Sequence, residues 1–142
     1  MKKYLRLLFL AAVTMMFAGC VFEGPEMRSY VISTEPRNWF EGNTSGLKYL
    51  YSDQSFPEID SWMMEQGLVE VSMIVQEGRQ VQHKLPYTFT VWVDKGSASY
   101  TTTETIRYEV SHGLLTLVIE WGDGNAYPVR DTYSFRVTTV DK

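Results

Sequence analysis

The stretch YTFTVWV, residues 87–93, decides the fold class, because its residues alternate strictly between two kinds of side chain. Tyr, Phe and Val occupy the odd positions, whereas Thr and Trp occupy the even ones. A β-strand places successive side chains on opposite faces, so this pattern is typical of a strand with one buried face. Trp92 falls on the polar face, and we therefore expect its indole to be exposed to solvent.

The same period of two recurs along most of the chain after residue 28. It is clear in residues 68–76, 115–121 and 133–138, and weaker in residues 28–33, 46–52 and 99–110. Turns containing Gly or Asn separate these stretches, as hairpins require. Seven short strands without alternating helices predict an all-β fold, an antiparallel sandwich of about seven strands.

One segment breaks the pattern and predicts a short helix over residues 57–66. Ile59, Trp62 and Met63 are spaced at i, i+3 and i+4, Pro57 suits a helix start, and Gly67 suits a helix end. We expect this helix to cap an open end of the sandwich, before its third strand.

The inward positions of the predicted strands define an expected core. Its members are Tyr49, Tyr51, Val69, Val71, Met73, Phe89, Val91, Tyr108, Leu115, Leu117, Ile119, Tyr133, Phe135 and Val137.

The N-terminus has the composition of an export signal. Three basic residues within the first six precede an apolar run, Leu7–Phe17, which is followed by Ala18, Gly19 and Cys20. Eleven apolar residues are too few to span a bilayer, which takes about 20, so residues 1–19 are predicted to be a signal peptide. The FAGC ending resembles the bacterial lipobox, although Phe17 stands where Leu is commonest. The resemblance implies that the Cys20 thiol is acylated and that Cys20 becomes the mature N-terminus.

These features divide the chain into residues 1–19 as signal peptide, residues 20–27 as lipidated cysteine and tether, and residues 28–142 as the sandwich domain. Without residues 1–19, the chain keeps ten basic and seventeen acidic side chains, a net charge of −7. Such a surface argues against nucleic acid and anionic headgroups as ligands. Cys20 is the only cysteine, so the domain has neither a disulfide nor a thiolate metal site.

Several short stretches resemble a family of small Bacteroidota lipoproteins. They are Leu85-Pro86-Tyr87, Phe135-Arg136-Val137, Pro57-Glu58-Ile59 followed by residues 66–71, and Trp39 before the second predicted strand. The resemblance implies an immunoglobulin-like sandwich and no catalytic activity.

Candidate chemistry is sparse. His83 and His112 lie in separate polar segments without a second plausible ligand, and solvated histidines are the simpler interpretation. Asp123 and Asn125, with Glu120, supply too few oxygen ligands for a calcium loop, and a hairpin turn explains them better. The acidic residues around the predicted helix complement its dipole. We therefore predict no enzyme, no cofactor and no metal site.

Exposed aromatic residues are the remaining candidates for a binding site. Trp92, with Tyr100 and the Thr101–Thr103 run on a predicted edge strand, is the kind of surface that binds proteins or stacks on sugars. Trp92 packed under a loop or against Trp39 is the alternative. The leading hypothesis is a lipid-anchored envelope protein, most simply of the outer membrane, that binds another protein. A glycan-binding accessory lipoprotein is the second hypothesis, and the sequence leaves open whether the domain faces the periplasm or the cell surface.

Overall fold

Two antiparallel sheets packed face to face make up the part of the chain that the computed structural model describes, residues 24–141. The predicted signal peptide and Cys20 lie outside these residues. In chain order the strands are β1 (Glu26–Thr34), β2 (Phe40–Thr44), β3 (Leu47–Ser55), β4 (Leu68–Glu77), β5 (Arg79–Lys84), β6 (Tyr87–Asp94), β7 (Ser99–Ser111), β8 (Leu114–Trp121) and β9 (Tyr133–Asp141). One helix, α1 (Ser61–Gln66), lies between β3 and β4, and a single 3-10 turn covers Pro36–Asn38.

The four-stranded sheet has the order β1-β9-β4-β5, and the five-stranded sheet has the order β2-β3-β8-β7-β6. Every strand pair in both sheets is antiparallel. The predicted all-β sandwich is thus confirmed, with nine strands in the described residues where about seven were expected. The two additional strands, β2 and β5, are short and mostly polar, and neither has a fully buried residue.

The sandwich begins two residues before the predicted end of the tether, residues 20–27. β1 begins at Glu26, which pairs with Asp141 at the end of β9, and Met27 pairs with Val140. The sandwich therefore starts at residue 26 rather than 28. The sequence hid this because Glu26 and Met27 are both exposed, so no buried side chain marks the start of the strand.

The helix is shorter than predicted and begins four residues later. Asp60 is its N-cap: its Oδ1 accepts a hydrogen bond from the backbone N–H of Met63 at 2.8 Å. Gly67 ends it, and a Cβ there would lie 2.9 Å from the Met63 carbonyl oxygen. Residues 57–60 instead form a loop whose Ile59 carbonyl accepts a hydrogen bond from Gly113 at 2.7 Å. Since β2 was not predicted, α1 precedes the fourth strand and not the third.

Most of the predicted core is correct. Seven of its residues are buried: Val71, Met73, Leu115, Leu117, Ile119, Phe135 and Val137. Five others are half-buried and pack against this core: Val69, Phe89, Val91, Tyr108 and Tyr133.

The prediction for β3 is wrong, because the strand presents its other face to the core. Leu50 and Ser52 are buried there, paired with the fully buried Ile119 and Leu117 of β8. Tyr49 and Tyr51 lie on the outer face, where the Tyr51 ring is 5.9 Å from that of Phe40.

The sandwich has two distinct ends. The end where β1 begins holds Glu26, Asp141 and Leu68 in neighbouring strands, together with α1; we call it the tether end. The opposite end holds Thr34 paired with Tyr133, and the connection formed by residues 122–132; we call it the loop end. β9 runs from one end to the other, a distance of about 27 Å at the usual rise of a strand.

Among residues 24–141, no helix has the length and apolar character required to cross a membrane.

Candidate functional site

Trp92 lies where the sequence predicts, on the outer face of the five-stranded sheet. It is 69% exposed, the largest exposed fraction among the exposed large hydrophobic residues described. Its strand, β6, is an edge strand: within residues 24–141 it pairs with β7 alone. The indole is mostly exposed and available to a partner, whereas Trp39 is buried and packs against Tyr133.

Threonines surround Trp92 on this face. Trp92 pairs with Thr101, and the next pairs along the two strands are Thr90 with Thr103 and Thr88 with Thr105. The Thr88 and Thr105 hydroxyls are 2.8 Å apart. Between Thr88 and Trp92, the paired part of β6 and β7 thus presents on its outer face a row of short, uncharged polar side chains with one large aromatic ring at the loop end.

Tyr100 does not share this face. It pairs with the buried Val93, and its hydroxyl donates to Asp123 Oδ2 at 2.8 Å and contacts the Tyr127 hydroxyl. Its strand, β7, lies between β8 and β6, so the expectation that β7 forms the edge of the sheet is wrong. The structure separates the two residues predicted to act together: Trp92 faces solvent, and Tyr100 holds the loop end in place.

A cavity of about 760 Å³ opens at the loop end, beside Trp92. We call it the loop-end cavity. Its walls come from the end of β6, the end of β8 and the connection that leads to β9. The aromatic residues that line it are Trp92, Trp121, Tyr127 and Tyr133, and the charged ones are Asp94, Lys95, Glu104, Arg130 and Asp131.

Glu104 is the most unusual residue of this cavity, and the sequence analysis missed it. It is only 7% exposed. Trp121 Nε1 donates to its Oε2 at 3.1 Å, and the Tyr133 hydroxyl donates to its Oε1 at 3.4 Å. Burial raises the pKa of Glu104, while these two hydrogen bonds act in the opposite direction. Burial also raises the pKa of Tyr133, and the neighbouring carboxylate adds to the effect.

A signal for Glu104 was present in the sequence. It has the same parity as Ile106, Tyr108 and Val110, the residues predicted to point one way along β7. A charged residue at an inward position indicates a buried carboxyl with polar partners.

A hydrogen-bonded cluster around Asp123 holds the connection that borders the cavity. Asp123 Oδ2 accepts from the Tyr127 hydroxyl at 2.5 Å and Oδ1 accepts from the Asn125 backbone at 3.1 Å. Burial alone would raise the pKa of Asp123, but hydrogen bonds from Tyr127, Asn125 and Tyr100 outweigh it and lower the pKa to about 2. The Lys95 ammonium lies 5.6 Å from the Tyr100 ring centre and 5.9 Å from that of Tyr127.

The remaining candidate residues lie away from this cavity. His83 stacks on Tyr87 with ring centres 4.1 Å apart, and His112 lies exposed in the turn between β7 and β8. Across residues 24–141, no three His, Cys, Asp or Glu side chains are grouped so that they could hold a metal ion.

A second concavity of about 710 Å³ lies on the outer face of the five-stranded sheet, near the other edge. Its central charge, Arg107, is paired with Glu120 at 2.9 Å and also with Glu109. Because its central charges already satisfy one another, this surface offers less to a ligand than the loop end does.

No protein-family model matches this chain, and neither does any curated protein or solved structure in the comparisons made.

Proposed function

We propose that this chain is a lipid-anchored protein of the bacterial cell envelope that acts without catalysis, by binding another protein along the edge of β6. The observation that carries the proposal is the exposure of Trp92 on an edge strand. Large exposed aromatic residues of this kind are the usual energetic centres of protein interfaces.

The composition of β6 supports this proposal. Edge strands present unpaired backbone groups, and natural proteins usually protect them with charges or by keeping them short. β6 carries a single charged side chain, Asp94 at its last position, and residues 87–93 are uncharged. An extended segment of a partner could add to this strand by backbone hydrogen bonds, with Trp92 as its side-chain anchor.

The other three edges are shorter or carry more charge. β1 contains Glu26 and Arg28, β5 begins with Arg79 and ends with Lys84, and β2 is only five residues long. The lower charge of β6 favours it as the edge for pairing.

The anchor and the binding surface lie at opposite ends under this proposal. Six residue steps separate Cys20 from Glu26, so an acylated Cys20 holds the tether end within about 20 Å of the membrane. Two or more acyl chains give stable attachment, whereas one alone binds only marginally. Trp92 and the loop-end cavity then face away from the lipid and towards partners. The outer membrane remains our proposed location.

Glycan binding is the second candidate function, and the loop-end cavity favours it. Sugars bind where aromatic faces stack on their apolar sides and carboxylates accept their hydroxyl hydrogens. Tyr127 supplies a ring in this cavity, Trp92 borders it from the outer face of the sheet, and Asp94 and Asp131 supply exposed carboxylates.

The experiment compares Trp92→Ala with Trp62→Ala, since Trp62 is also exposed but lies at the tether end. Each lipidated protein is purified from its own membranes, and co-purifying proteins are quantified. We expect a partner that wild type and Trp62→Ala retain and that Trp92→Ala loses. Protection of tryptophan fluorescence from quenching by a sugar, abolished in Trp92→Ala, would favour the glycan function instead. Equal retention by all three proteins would contradict the role of Trp92.

A further inference from the structure

The tether end carries an exposed apolar surface that the proposed binding function does not use. Four of the eight exposed large hydrophobic residues described lie there: Met27 is 68% exposed, Trp62 52%, Met64 46% and Leu68 47%. We call these four residues the tether-end apolar surface. Monomeric proteins rarely gather exposed apolar side chains in this way without a contact for them.

Strand pairing places two of the four residues in one row. Met27 pairs with Val140, and Val140 pairs with Leu68, across three neighbouring strands of the four-stranded sheet. All three side chains belong to the outer face, because the alternate residues Tyr30 and Val71 point inward. The row crosses the sheet at the point where the chain enters it.

The other two residues belong to α1, which lies at the same end of the domain but at the opening between the two sheets, on the other side of β9 from this row. The Trp62 indole Nε1 donates to Asp141 Oδ1 at 2.5 Å, so the helix is tied to the last described residue of β9. Met63, between Trp62 and Met64, is buried against the domain. Trp62 and Met64 therefore stay exposed beside the N-terminal strand.

We infer that the tether end rests on the membrane, with Met27, Trp62, Met64 and Leu68 in the headgroup region of a zwitterionic lipid surface. This inference rests on the proposed acylation of Cys20. The argument for lipid is the length of chain outside the sandwich: Cys20 is six steps from Glu26, so the acyl chains hold this surface within about 20 Å of the bilayer. Tryptophan is enriched at this depth because its ring is apolar and its N–H is polar.

The charges at this end decide the kind of lipid. Glu58, Asp60, Glu65 and Asp141 are acidic, and the one nearby cation of β1, Arg28, is paired with Glu26 at 2.9 Å. Anionic headgroups would be repelled by this set, whereas zwitterionic headgroups carry an ammonium that can approach it. The contact fixes the orientation of the domain and keeps Trp92, at the loop end, clear of the surface.

The test uses the full-length lipidated protein in vesicles of phosphatidylcholine and phosphatidylethanolamine with bromine near the top of the acyl chains. Bromine quenches tryptophan only at short range. The fluorescence of Trp62 is obtained by subtracting the emission of Trp62→Phe from that of the wild-type protein. The matched control obtains the fluorescence of Trp92 in the same way, from Trp92→Phe. We expect quenching and a blue shift for the Trp62 contribution, and neither for that of Trp92.

Flotation of the same vesicles distinguishes failure of the proposed acylation of Cys20 from failure of the proposed membrane contact. If the wild-type protein does not float with vesicles, acylation of Cys20 fails, and this inference fails with it. If the protein floats but Trp62 is quenched no more than Trp92, the anchor stands and only the membrane contact is overturned. The membrane contact is also overturned if Trp62 is not quenched and instead crosslinks to a second copy of the chain or to another protein on the vesicle.

Discussion

Tyr133 and Glu104 join the two sheets at the loop end. The Tyr133 hydroxyl, at the start of β9 in the four-stranded sheet, donates to Glu104 Oε1 on β7 of the five-stranded sheet at 3.4 Å. Trp121 Nε1 on β8 donates to the second carboxyl oxygen at 3.1 Å. A buried carboxyl with two neutral donors thus occupies a position where the sandwich opens into a cavity.

The buried carboxyl predicts a particular dependence of stability on pH. Burial raises the pKa of Glu104 above its ordinary value of about 4.5, so the folded protein keeps this proton to higher pH than the unfolded chain does. The contribution of Glu104 to the free energy of unfolding should therefore fall as pH rises from about 4.5 through the raised pKa. Urea titrations at a series of pH values should show this fall in the wild type and not in Glu104→Gln. Parallel curves for the two proteins would contradict the assignment.

Phe135 should be among the most sensitive core positions. Its side chain is fully buried on β9, and Phe135→Ala should lower the free energy of unfolding by about 3–5 kcal/mol, since it leaves a cavity. Phe40→Ala is the matched control, because Phe40 is exposed on β2; a surface substitution of this kind should change stability by about 0.5 kcal/mol. Similar losses for the two variants in urea unfolding would show that the core is not centred where we describe it.

The sequence allowed the sandwich and most of its core to be predicted, because period-two alternation is a local signal. It failed at β3, where Leu47, Tyr49 and Tyr51 on one face and Leu50 on the other are all apolar or aromatic. Hydrophobicity could not choose between these faces. The choice is made by pairing with β8, where Leu50 lies opposite Ile119, 69 positions further along the chain.

The hydrogen-bond partners of Glu104 could not be predicted for a similar reason. Its partners, Trp121 and Tyr133, lie 17 and 29 residues further along the chain. Nothing in a local pattern brings them together. The late start of α1 has a local cause. Pro57 favours a helix start at residue 57, but the Asp60 side chain caps the helix so that it begins at residue 61.

The cap itself can be tested. Asp60→Ala removes the acceptor for the Met63 N–H and should lower the free energy of unfolding by about 1 kcal/mol. Glu65→Ala, an exposed substitution in the same helix, should have almost no effect. Thermal unfolding followed by circular dichroism provides the comparison. If both substitutions are neutral, α1 contributes less to the tether end than its contacts suggest.

Trp92 should matter for binding and not for folding. Its indole is mostly exposed, so Trp92→Ala should change the free energy of unfolding by about 0.5 kcal/mol or less. The same substitution should weaken binding of a protein partner by at least about tenfold, which corresponds to about 1.4 kcal/mol for an interface anchor. Urea unfolding and a titration with the purified partner measure the two quantities. Loss of folding together with binding would mean that Trp92 supports the sandwich and is not a contact.

The most direct test of the binding account is crosslinking in intact cells. A photo-reactive amino acid is placed at Thr90, on the outer face of edge strand β6, or at Ser29, at the corresponding face of edge strand β1. The account predicts one defined protein adduct from position 90, none from position 29, and loss of the adduct when Trp92→Ala is added. Equal yields from the two edges, or an adduct that Trp92→Ala leaves unchanged, would contradict it.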